Sequence, residues 1–258
     1  MEKPGMGKAI EILPDKLFWI SDRSPPKSQS SAYFFCIDND LVYEPFFEDF
    51  GPLNLAQTHR FCNELNKLIS DKKYSKYKIY HYTSTDFAKQ ANAAYLMGAY
   101  LVVIHKRTAE DAWALFQPYH NQFKPYRDAT MLPTCSYKCT ILDCLRGLEY
   151  AIKLGWYNFN SFDVKEYEFY EKVENGDLNW ILPGKFVAFS GPSNTSHDKD
   201  GFPTFTPDDY APIFKKLGVT LVVRLNKPQY DKNRFLKRGI KHVDLIFTDG
   251  TPPPDEIT

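Results

Sequence analysis

The sequence predicts an α/β fold in two tandem copies, each a mostly parallel sheet flanked by helices, with the second copy incomplete. Two observations carry that expectation. The first is a repeat: Ile12-Leu13-Pro14-Asp15-Lys16-Leu17-Phe18-Trp19-Ile20-Ser21 recurs as Ile181-Leu182-Pro183-Gly184-Lys185-Phe186-Val187-Ala188-Phe189-Ser190. The offset from Ile12 to Ile181 is far longer than a solenoid period of roughly 20 to 50 residues and suits a duplicated globular domain. The second is the alternation of short apolar runs with helical stretches, the pattern of a parallel sheet with helical crossovers. Only Leu178 to Thr258 remains for the second copy, so the sequence is expected to stop before that domain is finished.

In chain order, strands are expected at Leu17–Ser21, Ala32–Phe35 and Tyr43–Phe47. A helix follows over Leu55–Ser70, where Leu55, His59, Phe61, Cys62, Leu65, Leu68 and Ile69 fall in a helical pattern. Next come a strand at Lys78–Tyr82, a helix over Asp86–Gly98, a strand at Tyr100–Ile104 and helices over Ala109–Phe116 and Tyr137–Leu154. The remaining chain reads as helix Glu166–Val173, strand Phe186–Phe189, helix Asp208–Leu217 and strands Val219–Arg224 and Val243–Phe247. Polar loops, Ser24–Ser31 and Pro192–Gly201, follow the repeated motif at the same distance. A second matching pair, Phe47-Glu48-Asp49-Phe50-Gly51-Pro52 and Phe247-Thr248-Asp249-Gly250-Thr251-Pro252, places an acidic loop after a strand in each copy.

Composition narrows the classes. With 43% hydrophobic and 25% charged residues, the 258-residue chain has material for packed cores and no disorder signature. Lysine plus arginine equals aspartate plus glutamate at 32 each, so bulk charge argues for neither nucleic acid nor membrane as partner. The longest apolar run, Ala93–Ile104, is too short and tyrosine-rich to span a bilayer, and Met1–Ala9 shows no targeting pattern. Five cysteines, an odd number, suggest a reducing compartment. Cys135, Cys139 and Cys144 lack a second ligand pair at zinc spacing, and Leu142, Leu145, Leu148 and Ile152 make their stretch an amphipathic helix with core cysteines. The 16% aromatic content reads as packing, and Gly5-Met6-Gly7-Lys8 lacks the spacing of a phosphate loop.

Longer stretches carry a resemblance. Tyr170-Glu171-Lys172-Val173-Glu174-Asn175-Gly176-Asp177-Leu178-Asn179-Trp180-Ile181, Arg224-Leu225-Asn226-Lys227 and Asp244-Leu245-Ile246-Phe247-Thr248-Asp249-Gly250-Thr251-Pro252 resemble the cell division cycle fourteen family of dual-specificity protein phosphatases. Pro52-Leu53-Asn54 and His81-Tyr82-Thr83-Ser84 resemble its first domain. The resemblance implies tandem dual-specificity-phosphatase-like domains: a non-catalytic one over 9–160, a linker helix over 161–177 and the first part of the catalytic domain over 178–258.

Such phosphatases attack phosphorus with a low-pKa cysteine thiolate, cradle the phosphate in backbone N–H groups at a helix N-terminus, and grip it with an arginine six positions after the cysteine. Neither metal nor cofactor is called for. In this sequence the positions six after each cysteine are Val42, Leu68, Ile141, Leu145 and Tyr150, so the motif is absent. In the first copy His81-Tyr82 stands where His-Cys would be and Ala88 where the arginine would be. The second copy's loop is expected beyond Thr258, and the chain as written is expected to be inactive.

The resemblance makes Asp249 the general acid, although Asp-Gly is also a common turn dipeptide. It places Glu168, Glu171 and Asp177 in an acidic groove between the domains that takes a basic residue following a phosphoserine-proline site. Without it, the same acidic stretch reads as a solvated helix face capped by Asn175-Gly176. The implied partners are phosphoproteins carrying cyclin-dependent kinase sites; the implied setting is cell-cycle control in nucleus and cytoplasm, with centrosome or spindle included. The competing expectation is a non-catalytic phosphopeptide-binding or scaffold module.

Overall fold

The repeated motif opens a β-hairpin. In a computed structural model describing residues 9–27, 29–129, 138–248, 251 and 253–257, β1 (Ile10–Leu13) and β2 (Leu17–Ser21) pair antiparallel with a register shift between Glu11 and Leu13. Pro14 presets the turn, Asp15 takes φ 55°, and the Lys16 N–H donates to the Leu13 carbonyl at 3.1 Å. The chain divides into two units, Met1–Phe162 and Asp163–Thr258. In the first, β4 (Lys78–Thr83) lies between β2 and β3 (Ala32–Phe35) and runs parallel to both.

Two expected strands of this unit are not strands. Tyr43–Phe47 is irregular: Pro45 has no N–H for a ladder, and the Tyr43 hydroxyl donates to the Asp49 carboxylate instead. Tyr100–Ile104 belongs to the end of α2 (Phe87–Val103), with Ile104 as its C-cap. Every residue of α2 from Gln90 to Val103 is buried, so no polar stripe marks the helical period and its valine-rich end imitates a strand.

Helix α2 is the axis of the first core. Leu17, Trp19, Ile79, Leu96, Met97, Tyr100 and Phe116 bury almost completely around it. Helices α1 (Leu55–Ser70), α3 (Ala109–Ala114) and α4 (Ile141–Lys153) pack on it. Gly98 allows α4 to approach: a Cβ there would lie 2.8 Å from Leu145 Cδ1. Asn54 with Gln57 and Thr140 with Asp143 form capping boxes that start α1 and α4. Helix α4 thus begins after the expected Tyr137, which lies outside the described residues.

The second unit repeats the hairpin. Strands β5 (Leu178–Leu182) and β6 (Phe186–Phe189) pair antiparallel with a register shift between Trp180 and Leu182, matching that of β1 and β2. Gly184 takes φ 72° where Asp15 takes 55°, and the Lys185 N–H donates to Leu182 at 2.9 Å. Helix α5 (Val164–Glu171) is capped by Asp163, whose carboxylate accepts the Lys165 and Glu166 N–H groups. Gly176, at φ 114°, closes a separate 3-10 turn over Val173–Asn175, because the α-helix has already ended at Glu171.

After α6 (Pro207–Leu217), the parallel pair β7 (Leu221–Arg224) and β8 (Lys241–Asp244) flanks the short helix α7 (Asn233–Lys237). Leu178, Tyr210, Phe214, Val222 and Phe235 make the core. Strand β8 starts and ends earlier than the expected Val243–Phe247, though the Leu245 and Phe247 N–H groups still reach the carbonyls of Arg224 and Leu225. Among the described residues β5–β6 and β7–β8 remain separate pairs, with no strand in the joining place that β4 holds in the first unit. Leu221, Val223 and Val243 are exposed on the alternate face of β7 and β8.

Of the cysteines expected in the core, Cys139 and Cys144 are only half-buried at its margin, and Cys135 lies outside the described residues. Cys62 is buried and Cys36 exposed. Among the described residues no helix is long and apolar enough to cross a membrane, and no cluster of three or more acidic, histidine or cysteine side chains could hold a metal.

Candidate functional site

In the first unit, β4 runs through Ser84 and Thr85 into α2, the strand–turn–helix form that presents backbone N–H groups to an anion. Here the donors are already engaged by side chains of the chain itself. The Ser84 N–H donates to Asp38 at 2.9 Å, and the Ala88 and Lys89 N–H groups both donate to Asp86 at 2.9 Å. Beside the turn is a cavity of about 260 Å³ whose lining includes three carboxylates, Asp38, Asp49 and Asp86, with Lys89 and Lys124. A phosphate dianion entering it would have to displace carboxylates from the N–H groups it needs.

The side chains at the nucleophile and arginine positions are likewise spent on structure. Tyr82 is buried, and its hydroxyl donates to the Asp22 carbonyl at 3.2 Å. Ala88 supplies no cation. His81 is wholly buried and stacks flat on Phe35 at 4.8 Å, with no hydrogen-bond partner for either ring nitrogen. Burial pushes its pKa down to about 3, outweighing the Asp38 carboxylate, so the ring is neutral.

Asp49, the first copy's counterpart of Asp249, is disarmed as an acid. Burial acts to raise its pKa, but hydrogen bonds from the Tyr43 hydroxyl and the Phe47 N–H outweigh it and hold the carboxyl below its ordinary value. A general acid must carry the proton that these contacts remove.

The second unit builds a different loop. Arg224 is buried at the end of β7, its Nε donating to Asp244 at 2.8 Å and its Nη1 to the Tyr230 carbonyl at 2.9 Å. Lys232 adds a 3.0 Å contact to the same carboxylate, and Arg224 and Lys232 together hold the Asp244 pKa below its ordinary value. These bonds fix the end of β8. From there the Leu245 and Phe247 N–H groups tie the outgoing chain to Arg224 at the end of β7 and to Leu225 just after it, and the Thr251 N–H and hydroxyl both donate to the Thr248 carbonyl, at 3.2 and 2.6 Å. Asp249 itself, with Gly250, lies outside the described residues.

Glu168 and Glu171 stand three residues apart on α5, both half-buried. Asp177 is not on that helix: it follows Gly176 at φ 45°, its N–H donating to Lys172 and its carbonyl accepting from Ser190. Tyr210 Oη lies 2.9 Å from the Gly176 carbonyl and 3.0 Å from that of Ser190, pinning the segment to α6. Burial raises the Asp177 pKa above its ordinary value.

Residues 11–151 match the family model of the dual specificity protein phosphatase N-terminal half. The chain is 49% identical over 250 residues to human dual specificity protein phosphatase CDC14A, covering 96% of this chain and 42% of that protein. The chain belongs to the cell division cycle fourteen family of dual-specificity protein phosphatases. Within the family it is also 40% identical over 259 residues to the Caenorhabditis elegans tyrosine-protein phosphatase cdc-14, and 38% identical over 257 residues to the Schizosaccharomyces pombe CDC14 homolog. Each of those matches covers 96% of this chain, and 36% and 48% of the relative. The chain thus spans less than half the length of these relatives.

Sequence reasoning missed the residues that fill the first unit's loop. Asp86 carries a local signal, an aspartate just before a helical run. Asp38 carries none, since it reaches Ser84 only through the pairing of β3 with β4.

Proposed function

We propose that this chain supplies the non-catalytic first domain (9–160), linker helix (161–177) and leading part of the catalytic domain (178–258) of a dual-specificity protein phosphatase. The match covering 96% of the chain carries this reading, because it runs through both units. The chemistry proceeds through a cysteinyl-phosphate: a thiolate attacks phosphorus, and Asp249 protonates the departing serine, threonine or tyrosine oxygen. Glu168, Glu171 and Asp177 attract a basic residue that follows a phosphoserine-proline site, so the substrates are proteins phosphorylated by cyclin-dependent kinases. The protein then acts in cell-cycle control in nucleus and cytoplasm, at centrosome or spindle, and imaging of a tagged chain through division tests that placement.

These 258 residues contain no cysteine followed six positions later by arginine, so the purified chain is expected to show no aryl phosphate turnover above buffer. Hydrolysis abolished by replacing any one of its five cysteines would contradict that. The absence of the motif also supports a second reading, a module that binds phosphopeptides without cleaving them. Retention of a phosphoserine-proline-x-lysine peptide by the same chain would favour it.

The acidic residues are tested in a protein extended by a relative's nucleophile segment. Glu168→Lys, Glu171→Lys or Asp177→Lys is expected to lower kcat/KM severalfold or more on phosphoserine-proline peptides with a following lysine. A small aryl phosphate, which carries no such residue, is expected to be turned over as before. Equal losses on both substrates would assign these carboxylates to folding, and an unchanged peptide rate would return them to a solvated surface.

A further inference from the structure

Cys139 and Cys144 sit at the start of α4, one before the N-cap Thr140 and the other in the first turn, with their sulfur atoms 3.5 Å apart. Both are free thiols and both are half-buried, open enough for a small oxidant to reach yet held against the margin of the core. Neither is needed for the phosphatase chemistry proposed above. The other described cysteines differ: Cys62 is completely buried, and Cys36 is exposed. A disulfide needs its sulfurs at about 2.05 Å, a further approach of roughly 1.5 Å from this separation.

From this geometry we infer that Cys139 and Cys144 are a redox modification site, an oxidisable dithiol that closes to an intrachain disulfide under peroxide. The two thiols divide the work unequally. Burial and the neighbouring Cys139 both raise the Cys144 pKa, which keeps that thiol protonated. Cys139, one residue before the N-cap of α4, is the thiol that meets the oxidant. The Cys139 thiolate attacks one peroxide oxygen, forming an S–O bond as the O–O bond breaks, and the departing hydroxide leaves as water after taking a proton. The Cys144 sulfur then attacks the sulfenic sulfur of Cys139; the S–S bond forms, the S–O bond breaks, and the hydroxide leaves as a second water with the Cys144 proton. Two thiols and one peroxide become one disulfide and two waters, the thiols losing the two electrons that the peroxide gains.

The closed disulfide ties the residue before the N-cap to the first turn of α4, the helix whose Leu145 meets α2 at Gly98. Reduction by a thiol reopens it.

Tryptic mapping separates this pair from every other cysteine, because cleavage after Lys138 and Arg146 gives one peptide, Cys139–Arg146, that contains both. The purified chain is treated with substoichiometric to equimolar hydrogen peroxide, alkylated and digested. The expected result is that this peptide loses both alkyl groups and the mass of two hydrogens while Cys62 stays alkylatable on unfolding, and that dithiothreitol reverses the change. In Cys144→Ser the internal disulfide disappears, and Cys139 is instead trapped by a sulfenic-acid reagent such as dimedone. Full alkylation of both cysteines after peroxide treatment would overturn the inference. So would a Cys139 disulfide to the separate peptide carrying Cys135, or dimedone labelling of Cys144 in place of Cys139.

Discussion

Asp249→Asn, in a protein extended by a relative's nucleophile segment, is expected to lower turnover by roughly 10²- to 10⁴-fold while leaving substrate affinity largely intact. Asparagine keeps the shape of aspartate but has no proton to give the departing oxygen. The loss should therefore grow with the basicity of the leaving group, being largest for a seryl phosphate and smallest for an activated aryl phosphate. The backbone bonds from Leu245 and Phe247 to Arg224 and Leu225 and the Thr248–Thr251 contacts hold the described chain on either side of this position. Asp49→Asn is the control, since its carboxylate is held ionised by Tyr43 and Phe47 and the proposed chemistry gives it no task. Steady-state rates across a leaving-group series decide the matter. A uniform loss across that series, or one that appears in KM alone, would remove Asp249 from the role of acid.

What the sequence made legible was local or repeated. The duplication could be read from the Ile-Leu-Pro repeat, and in both copies the structure turns that motif into a hairpin by proline followed by a residue at positive φ, Asp15 in one and Gly184 in the other. Its leading strands β1 and β5 were not expected, although they are as short as the partner strands β2 and β6 that were. Pattern failed where tertiary structure supplied the information. The end of α2 reads as a strand because burial on all sides erases its period, and Tyr43–Phe47 reads as a strand because the Tyr43–Asp49 hydrogen bond is invisible in composition. Tyr82 and Ala88 could be read from the sequence as residues unsuited to the phosphate chemistry that the resemblance implies, but the filling of the turn by Asp38 could not, because that contact joins segments 46 residues apart. Cys139 and Cys144 read as core residues because they fall in an amphipathic stretch, whereas the helix starts late enough to leave both at its open end.

The chain is expected to lose stability as pH falls from 7 to 5, and His81→Phe is expected to remove about 2 kcal/mol of that loss. His81 is neutral in the folded protein down to about pH 3, whereas an unfolded chain protonates it near the ordinary histidine value of 6.5. The unfolded state therefore takes up a proton first, so the histidine's contribution is fully present above 6.5 and is lost progressively as pH falls toward 3. The same burial leaves both ring nitrogens without partners, a cost on the order of 1–3 kcal/mol that phenylalanine does not carry. Phenylalanine can keep the flat stack on Phe35 and the contact with Phe61. His59, His105 and His242 also have lowered pKa values, so wild type and variant should both weaken in acid, by different amounts. Denaturant unfolding of the two proteins at pH 7 and pH 5 isolates the His81 share as the difference between their pH dependences, which survives any constant offset from repacking. Parallel pH profiles would mean that His81 is protonated in the fold, and with it would fall the account of the first unit's loop as a sealed, neutral remnant.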